Sequence, residues 1–281
     1  MPLRTGSSGS TRIVGIHVPQ TQLDRDDRGA TAWLPPVLAR AETWNARTVV
    51  FSDPDPLAGL RRVRQEEGVT AFLFNDTTFT DPRALELWRA RVPFAVMGRL
   101  HPPLPQSWVD LDNGHAMRLG LDHLAERGHR RIGFVASSAT GYWWDERLEG
   151  YTAWVRTHGV EPRIVRGPHH RLPDLLRQML TRDDRPTAVL SSGDGTCLPV
   201  YAVAAELGLA VGGKDGVAVV GFDPELVLDP PLTTVVVDHA QVAVALWEQL
   251  AAEAGWSRRG LFAPAVTGRY VACGLRVGLS G

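Results

Sequence analysis

Several apolar, β-branched runs in this chain end on a polar side chain. Asp223 follows residues 217–222 and is itself followed by proline, while Asp194 and Gly195 follow Ala188–Ser191. Asn75 and Asp76 follow Ala71–Phe74, and Arg99 follows Phe94–Met97. Arg147 lies in the first turn of a predicted helix, after the run 132–136 and the loop 137–144. Acceptors and a guanidinium fork gathered around a cleft suit a polyhydroxylated ligand, because every hydroxyl both donates and accepts. Trp33, Trp143 and Trp144 stand near such loops and offer flat faces for the apolar side of a sugar ring. The competing reading is that these carboxylates cap the helices that follow them. Spacing alone leaves both readings open.

Other chemistry is weaker. The segment Ser191-Ser192-Gly193-Asp194-Gly195-Thr196 has the outline of the D-x-D-G-T loop of aspartate-nucleophile phosphatases, but Ser192 stands where the attacking carboxylate belongs. No G-x-S-x-G elbow and no Walker loop occurs. His169 and His170 are adjacent, and adjacent side chains of an extended segment point opposite ways. They read as a surface turn. Cys197 and Cys273 are far apart and read as two buried, reduced thiols. No metal, no cofactor and no enzyme activity is expected. A sugar hydrolase would need two carboxyl groups about 5–10 Å apart around one bond.

The elements that position these residues alternate. Residues 13–18, 48–51, 71–74, 94–97, 131–136, 188–191 and 217–222 read as strands; 56–67, 82–91, 113–127 and 145–158 read as helices, some opened by Asp-Pro. Buried strands alternating with amphipathic helices predict parallel sheets covered on both faces. At roughly 150 residues per domain, 281 residues predict two lobes. The proline-rich stretch 101–112 reads as a crossover between them, and the Gly/Ser-rich start as a linker remnant. Thirty basic residues, with Lys214 the only lysine, against 31 acidic ones give a net charge of −1, which excludes a chain that is mostly a nucleic-acid clamp. Without a leader-like apolar core or a run of about 20 apolar residues, the chain reads as cytoplasmic.

The segment 110–134 carries Asp112-Asn113, His123-Leu124 and Gly128-His129-Arg130-Arg131-Ile132. Arg147 with Gly150-Tyr151 follows, then Pro186-Thr187-Ala188-Val189 and Glu206-Leu207-Gly208-Leu209. Val219-Val220-Gly221-Phe222-Asp223 and Pro230-Pro231-Leu232-Thr233-Thr234-Val235, with Asp238, close the series. This ordered set strongly resembles the lactose-repressor/galactose-repressor family of transcription regulators, over most of the chain from Thr11 onward.

The resemblance implies a periplasmic-binding-protein-like α/β fold of type I, with two Rossmann-like lobes of parallel sheet and three crossovers near Asp112, Asp238 and Gly268. The lobes it implies are 11–111 plus 239–267 and 112–238 plus 268–281, after a linker remnant at 1–10. Arg147 and Asp223 would hold the ligand's polar groups, and Asp194 takes the place of the polar residue in the family's N-D loop. Val237 and His239 flank a further wall position, and Trp33 falls where the family places an aromatic. Some members carry an acidic ligand-binding residue at the position of Gly98, so contact is expected to shift to Arg99; Asn75, after the run 71–74, is a further expected ligand contact. The bulky loop Gly141-Tyr142-Trp143-Trp144 would narrow the pocket. The implied function is sensing of a small effector, a sugar or its derivative, by a homodimer that meets operator DNA through a headpiece not present in this sequence. A solute-binding protein for transport is the alternative.

Overall fold

The computed structural model describes residues 11–23, 31–100, 104, 107–138, 141–213, 215–222, 227–256 and 268–281. Asp223 lies outside them, as do residues 1–10 of the expected linker. The first half runs β1 (Arg12–His17), α1 (Gln20–Leu23), α2 (Leu34–Ala39), β2 (Ala46–Phe51), α3 (Pro56–Glu66), β3 (Ala71–Phe74), α4 (Pro82–Arg89), β4 (Phe94–Met97) and β5 (Trp108–Leu111). The second continues through α5 (Asn113–Glu126), β6 (Ile132–Ser137), α6 (Tyr142–Thr157), β7 (Arg163–Gly167), α7 (Leu172–Leu180), β8 (Ala188–Ser191), α8 (Cys197–Glu206), β9 (Ala218–Phe222) and β10 (Thr233–Val237). It closes with α9 (His239–Glu253), β11 (Gly268–Val271) and β12 (Cys273–Arg276).

The strands form two six-stranded sheets, ordered β11-β5-β4-β3-β1-β2 and β12-β10-β9-β8-β6-β7. All described pairings are parallel except β12, which runs antiparallel to β10. Both β3 and β8 are buried at every residue, as strands covered on both faces must be. Asp55 and Asp81 accept from the first backbone N–H groups of α3 and α4, each with proline at the first helical position.

The chain passes between the sheets three times. At Asp112 it leaves β5 for α5, which packs on α6, and at Asp238 it leaves β10 for α9, which packs on β4, β5 and α2. Both aspartates cap the helix they introduce, accepting from His115 N (2.8 Å) and Gln241 N (2.9 Å). Trp247 Nε1 donates to Val37 O at 2.9 Å and ties α9 to the first lobe. The third crossing falls at Ala272, not near Gly268, because Gly268–Val271 pairs residue for residue with Trp108–Leu111. The expected crossover stretch 101–112 is likewise corrected. Its end is the strand β5, and only Asp112 turns the chain over.

The core divides by sheet face. One buried cluster lines the outer face of the first sheet around Phe72 and Phe94, and another the outer face of the second around Leu176 and Val200. A third runs continuously from Val14 and Trp247 in the first lobe to Phe134 and Val220 in the second. Cys197 and Cys273 are buried, and His169–Arg171 is an exposed turn, both as expected.

Candidate functional site

Ligands of such folds bind at the carboxyl ends of the parallel strands, and here the segments that follow β3, β4, β6 and β8 meet through side-chain contacts. Arg147 stands there on α6 with only 8% of its surface exposed. Its Nε donates to Asn113 Oδ1 at 2.8 Å, and its Nη1 donates to the backbone oxygen of Ser192, after β8. The guanidinium lies 3.5 Å from the centre of the Phe222 ring and 4.9 Å from that of Trp143. Arg147 is thus held among aromatic rings, with its fork fixed in direction by its two hydrogen bonds. Ser192, whose side chain broke the phosphatase pattern, serves here through its main chain.

The preceding residue, Glu146, carries the connection across the lobes. One carboxylate oxygen, Oε1, pairs with Arg99 Nη2 and accepts from the Tyr270 hydroxyl at 3.3 Å. The other, Oε2, accepts from Asn113 Nδ2 at 3.2 Å. Arg99 follows β4 and Tyr270 lies on β11, so both belong to the first sheet. Phe79 meets Tyr142 edge-on at 4.9 Å between ring centres, a second contact between the lobes. Asp110, on β5, is 3% exposed, and its Oδ2 lies 4.0 Å from Arg99 Nε, too far for a hydrogen bond. Burial, helped by the Glu146 carboxylate, raises the Asp110 pKa to about 6, against the Leu111 N–H and two guanidinium groups that favour the charged form.

In the first lobe a different cluster holds the loop after β3. Arg83 donates from Nη2 to Asp81 Oδ2 (2.7 Å), Asn75 O (3.0 Å) and Asp76 O (3.1 Å). Its Nη1 lies 2.9 Å from His17 Nδ1, and because a guanidinium only donates, the proton of a neutral His17 sits on Nε2. Burial, then the Arg83 charge, lowers the His17 pKa to about 4, with Asp81 and Asp53 opposing.

A profile for a "Periplasmic binding protein-like domain" matches residues 121–259. The chain is 27% identical over 169 residues to the HTH-type transcriptional regulator RafR of Escherichia coli, covering 58% of this chain and 49% of that protein. A regulatory protein of LacI family from Chloroflexus aggregans superposes with a TM-score of 0.81 at 24% identity, over 95% of this chain and 98% of that one. A complex of the transcriptional regulator CelR with cellobiose gives 0.82 at 23% identity, over 96% and 84%. In sequence and in fold the chain is similar to transcription regulators of the lactose-repressor/galactose-repressor type. It spans about half the length of the curated relatives it matches first.

Against the family's pattern, the expected residues separate into groups. Arg147, Trp143 and Arg99 meet in one network, with Arg99 engaged by Glu146. Asn75 ends β3, buried, with no hydrogen-bond partner for Oδ1 among the described residues. Trp33 directly precedes α2 and lies inside the core at 2% exposure, its Nε1 likewise without a described partner. His239 opens α9, half-buried, at the second crossing. Asp194 begins a 3-10 turn after β8, and only its backbone is described.

Trp144 departs from the expected sugar-facing role. It stacks on Phe134 at 5.7 Å and 11° inside the second lobe, since neighbouring residues on a helix point about 100° apart. The missing acidic residue at Gly98 also has a local cause. Gly98 has φ +111°, and an added Cβ would lie 2.4 Å from Thr77 Oγ1. Sequence reasoning overlooked Glu146, Asp110, Tyr270 and the Arg83 cluster. The one local signal was the acidic residue directly before Arg147. An open depression of about 610 Å³ lies elsewhere, along β7 between Arg163, Met179 and Pro186, and shares no residue with the Arg147 network.

Proposed function

We propose that this chain is the effector-sensing part of a transcription regulator and that it holds a sugar or related polyol between its lobes. The observation that carries this is Arg147, buried, fixed by Asn113 and Ser192 and flanked by Trp143 and Phe222. A polar fork bordered by aromatic faces matches a ring with hydroxyls on its rim and C–H groups on its face. The similarity to lactose-repressor-type regulators and the cellobiose complex of the similar regulator CelR support the same class of ligand.

Asp223 and Asp194 supply further polar contacts in this reading, Asn75 contributes from the first lobe, and Trp33 and His239 complete the wall. A ligand that contacts both lobes favours their closed arrangement by its difference in affinity for the two states. The working unit is a cytoplasmic homodimer that reaches operator DNA through a separate headpiece, and it turns over no substrate. Among the described residues no helix is long and apolar enough to cross a membrane. Delivery of a solute to a transporter is the less favoured reading, since the similar curated proteins are transcription regulators.

The test is a thermal-shift screen of cellobiose and other neutral sugars and polyols, followed by calorimetry on hits. At least one compound should raise Tm, and Arg147→Ala and Asp223→Ala should each weaken it by about tenfold or more, the scale of leaving a buried partner unpaired. A panel without hits, or unchanged affinity in both variants, overturns the reading. Hydrolysis of a glycoside that disappears in Asp223→Asn would replace it with an enzyme.

A further inference from the structure

We propose that Glu146 is a positioning residue that makes effector contact at Arg147 and closure of the lobes a single equilibrium. The inference rests on the sensing role proposed above and concerns how that site is regulated. Glu146 itself need not touch the effector. Its two oxygens reach three segments: Arg99 after β4, Tyr270 on β11, and Asn113 at the start of α5.

Asn113 is the intermediate. It is 1% exposed and uses both ends of its amide. Nδ2 donates to Glu146 Oε2 and to Leu111 O (3.2 Å each), while Oδ1 accepts from Arg147 Nε at 2.8 Å. Turning the amide over would set an NH₂ against the Arg147 N–H and an oxygen against the carboxylate, so the network fixes its orientation. Glu146 therefore holds the group that holds Arg147.

The same carboxylate spans the hinge. Arg99 and Tyr270 ride on the first sheet and Glu146 on the second lobe, so rotation about the crossings must change the Glu146–Arg99 separation. Tyr270 and Asp110 each lie two residues before a crossing, at Ala272 and Asp112. A displacement of the Arg147 guanidinium passes through Asn113 to Glu146 and from there to the first lobe. The pair is partly exposed, at 25% and 19% of the side chains, so added salt should weaken it in part.

The experiment uses the whole chain without effector. Spin labels on Arg62→Cys in α3 and Asp183→Cys after α7 report the distance between lobes, and the native cysteines are buried. Proton exchange at Arg147 Nε, followed by NMR, reports the link to Asn113. Glu146→Ala should broaden the inter-lobe distances toward longer values and speed Arg147 Nε exchange by about tenfold. Arg99→Met should change the distances in the same way, and combining it with Glu146→Ala should add nothing further. Glu146→Gln keeps the shape and removes the charge, and serves if the alanine variant melts. Glu149→Ala, exposed on the same helix, should change neither readout. Unchanged distances in both Glu146→Ala and Arg99→Met, or unchanged Arg147 exchange in folded Glu146 variants, overturns the proposal. Neither readout needs an effector, so failure of the sugar panel and failure of this link are separate results.

Discussion

Among the described residues each lobe buries one arginine near the carboxyl edge of its sheet, and the two are held in different ways. Arg83 is 5% exposed and lies 4.5 Å from the Phe74 ring centre; Arg147 is 8% exposed and lies 3.5 Å from that of Phe222. Arg83 meets a carboxylate two residues away, Asp81, and closes the loop 75–81 on itself. The bonds described for Arg147 go to neutral oxygens of Asn113 and Ser192, 34 and 45 residues distant, while the carboxylate next to it engages Arg99 of the other lobe. Burial and residue type are shared. What differs is where the partners lie: Arg83 bonds within the first lobe, to its own loop and to His17 on β1, whereas Arg147 is joined through Asn113 and Glu146 to Arg99 of the other lobe.

The largest effect should come from breaking the local pair. Arg83→Met leaves Asp81 buried without its cation and should cost about 3–5 kcal/mol of stability in urea unfolding. Conversion of both, Arg83→Met with Asp81→Asn, should cost less than the single change.

Protonation probes the first lobe further, with two groups of opposite sign. His17 has its pKa lowered from 6.5 to about 4, so its contribution to stability is lost as pH falls from 6.5 toward 4. Asp110 has its pKa raised from 3.8 to about 6, so its contribution is lost as pH rises from 3.8 toward 6. At about 1.4 kcal/mol per pKa unit, each is worth roughly 3 kcal/mol, and they oppose each other between about pH 4 and 6. His17→Gln should therefore expose a stability that falls with rising pH across that window, and Asp110→Asn one that falls with falling pH. Urea titrations across the window check this, and parallel curves for both variants and the parent would contradict it.

Arg147→Met should cost less stability than Arg83→Met, about 1–3 kcal/mol, because the hydrogen bonds described for it end on neutral oxygens. An equal loss in the two variants would erase the distinction between them. The smallest effect belongs to a surface arginine that is also paired with a carboxylate. Arg61 pairs with Glu86 at 3.1 Å but is 57% exposed, so Arg61→Ala should change stability by less than about 1 kcal/mol. That control separates burial from pairing as the source of the difference.

Much of the architecture was legible because it is local. Strands such as Ala71–Phe74 are short apolar runs, and Asp55-Pro56 and Asp81-Pro82 announce α3 and α4 through caps that involve only neighbours. The crossings at Asp112 and Asp238 were readable as well, each capping aspartate lying inside a family motif. β5 was not, because prolines precede it and its strand character comes from partners in β4 and β11, the latter 160 residues away. The shift of the third crossing to Ala272 has the same origin.

The site divides along the same line. The sequence by itself determined the family resemblance, the alternating two-lobed fold and the place of Arg147 at the start of α6. Only the tertiary structure decided what each polar residue does. Asp112 and Asp238 became caps, Trp144 entered the core while Trp143 faced Arg147, and Arg99 met Glu146, 47 residues on and in the other lobe. The physical reason is range. Caps and periodicity act within a turn or two, whereas the partner of a buried charge is set by which strand ends the finished sheets bring together.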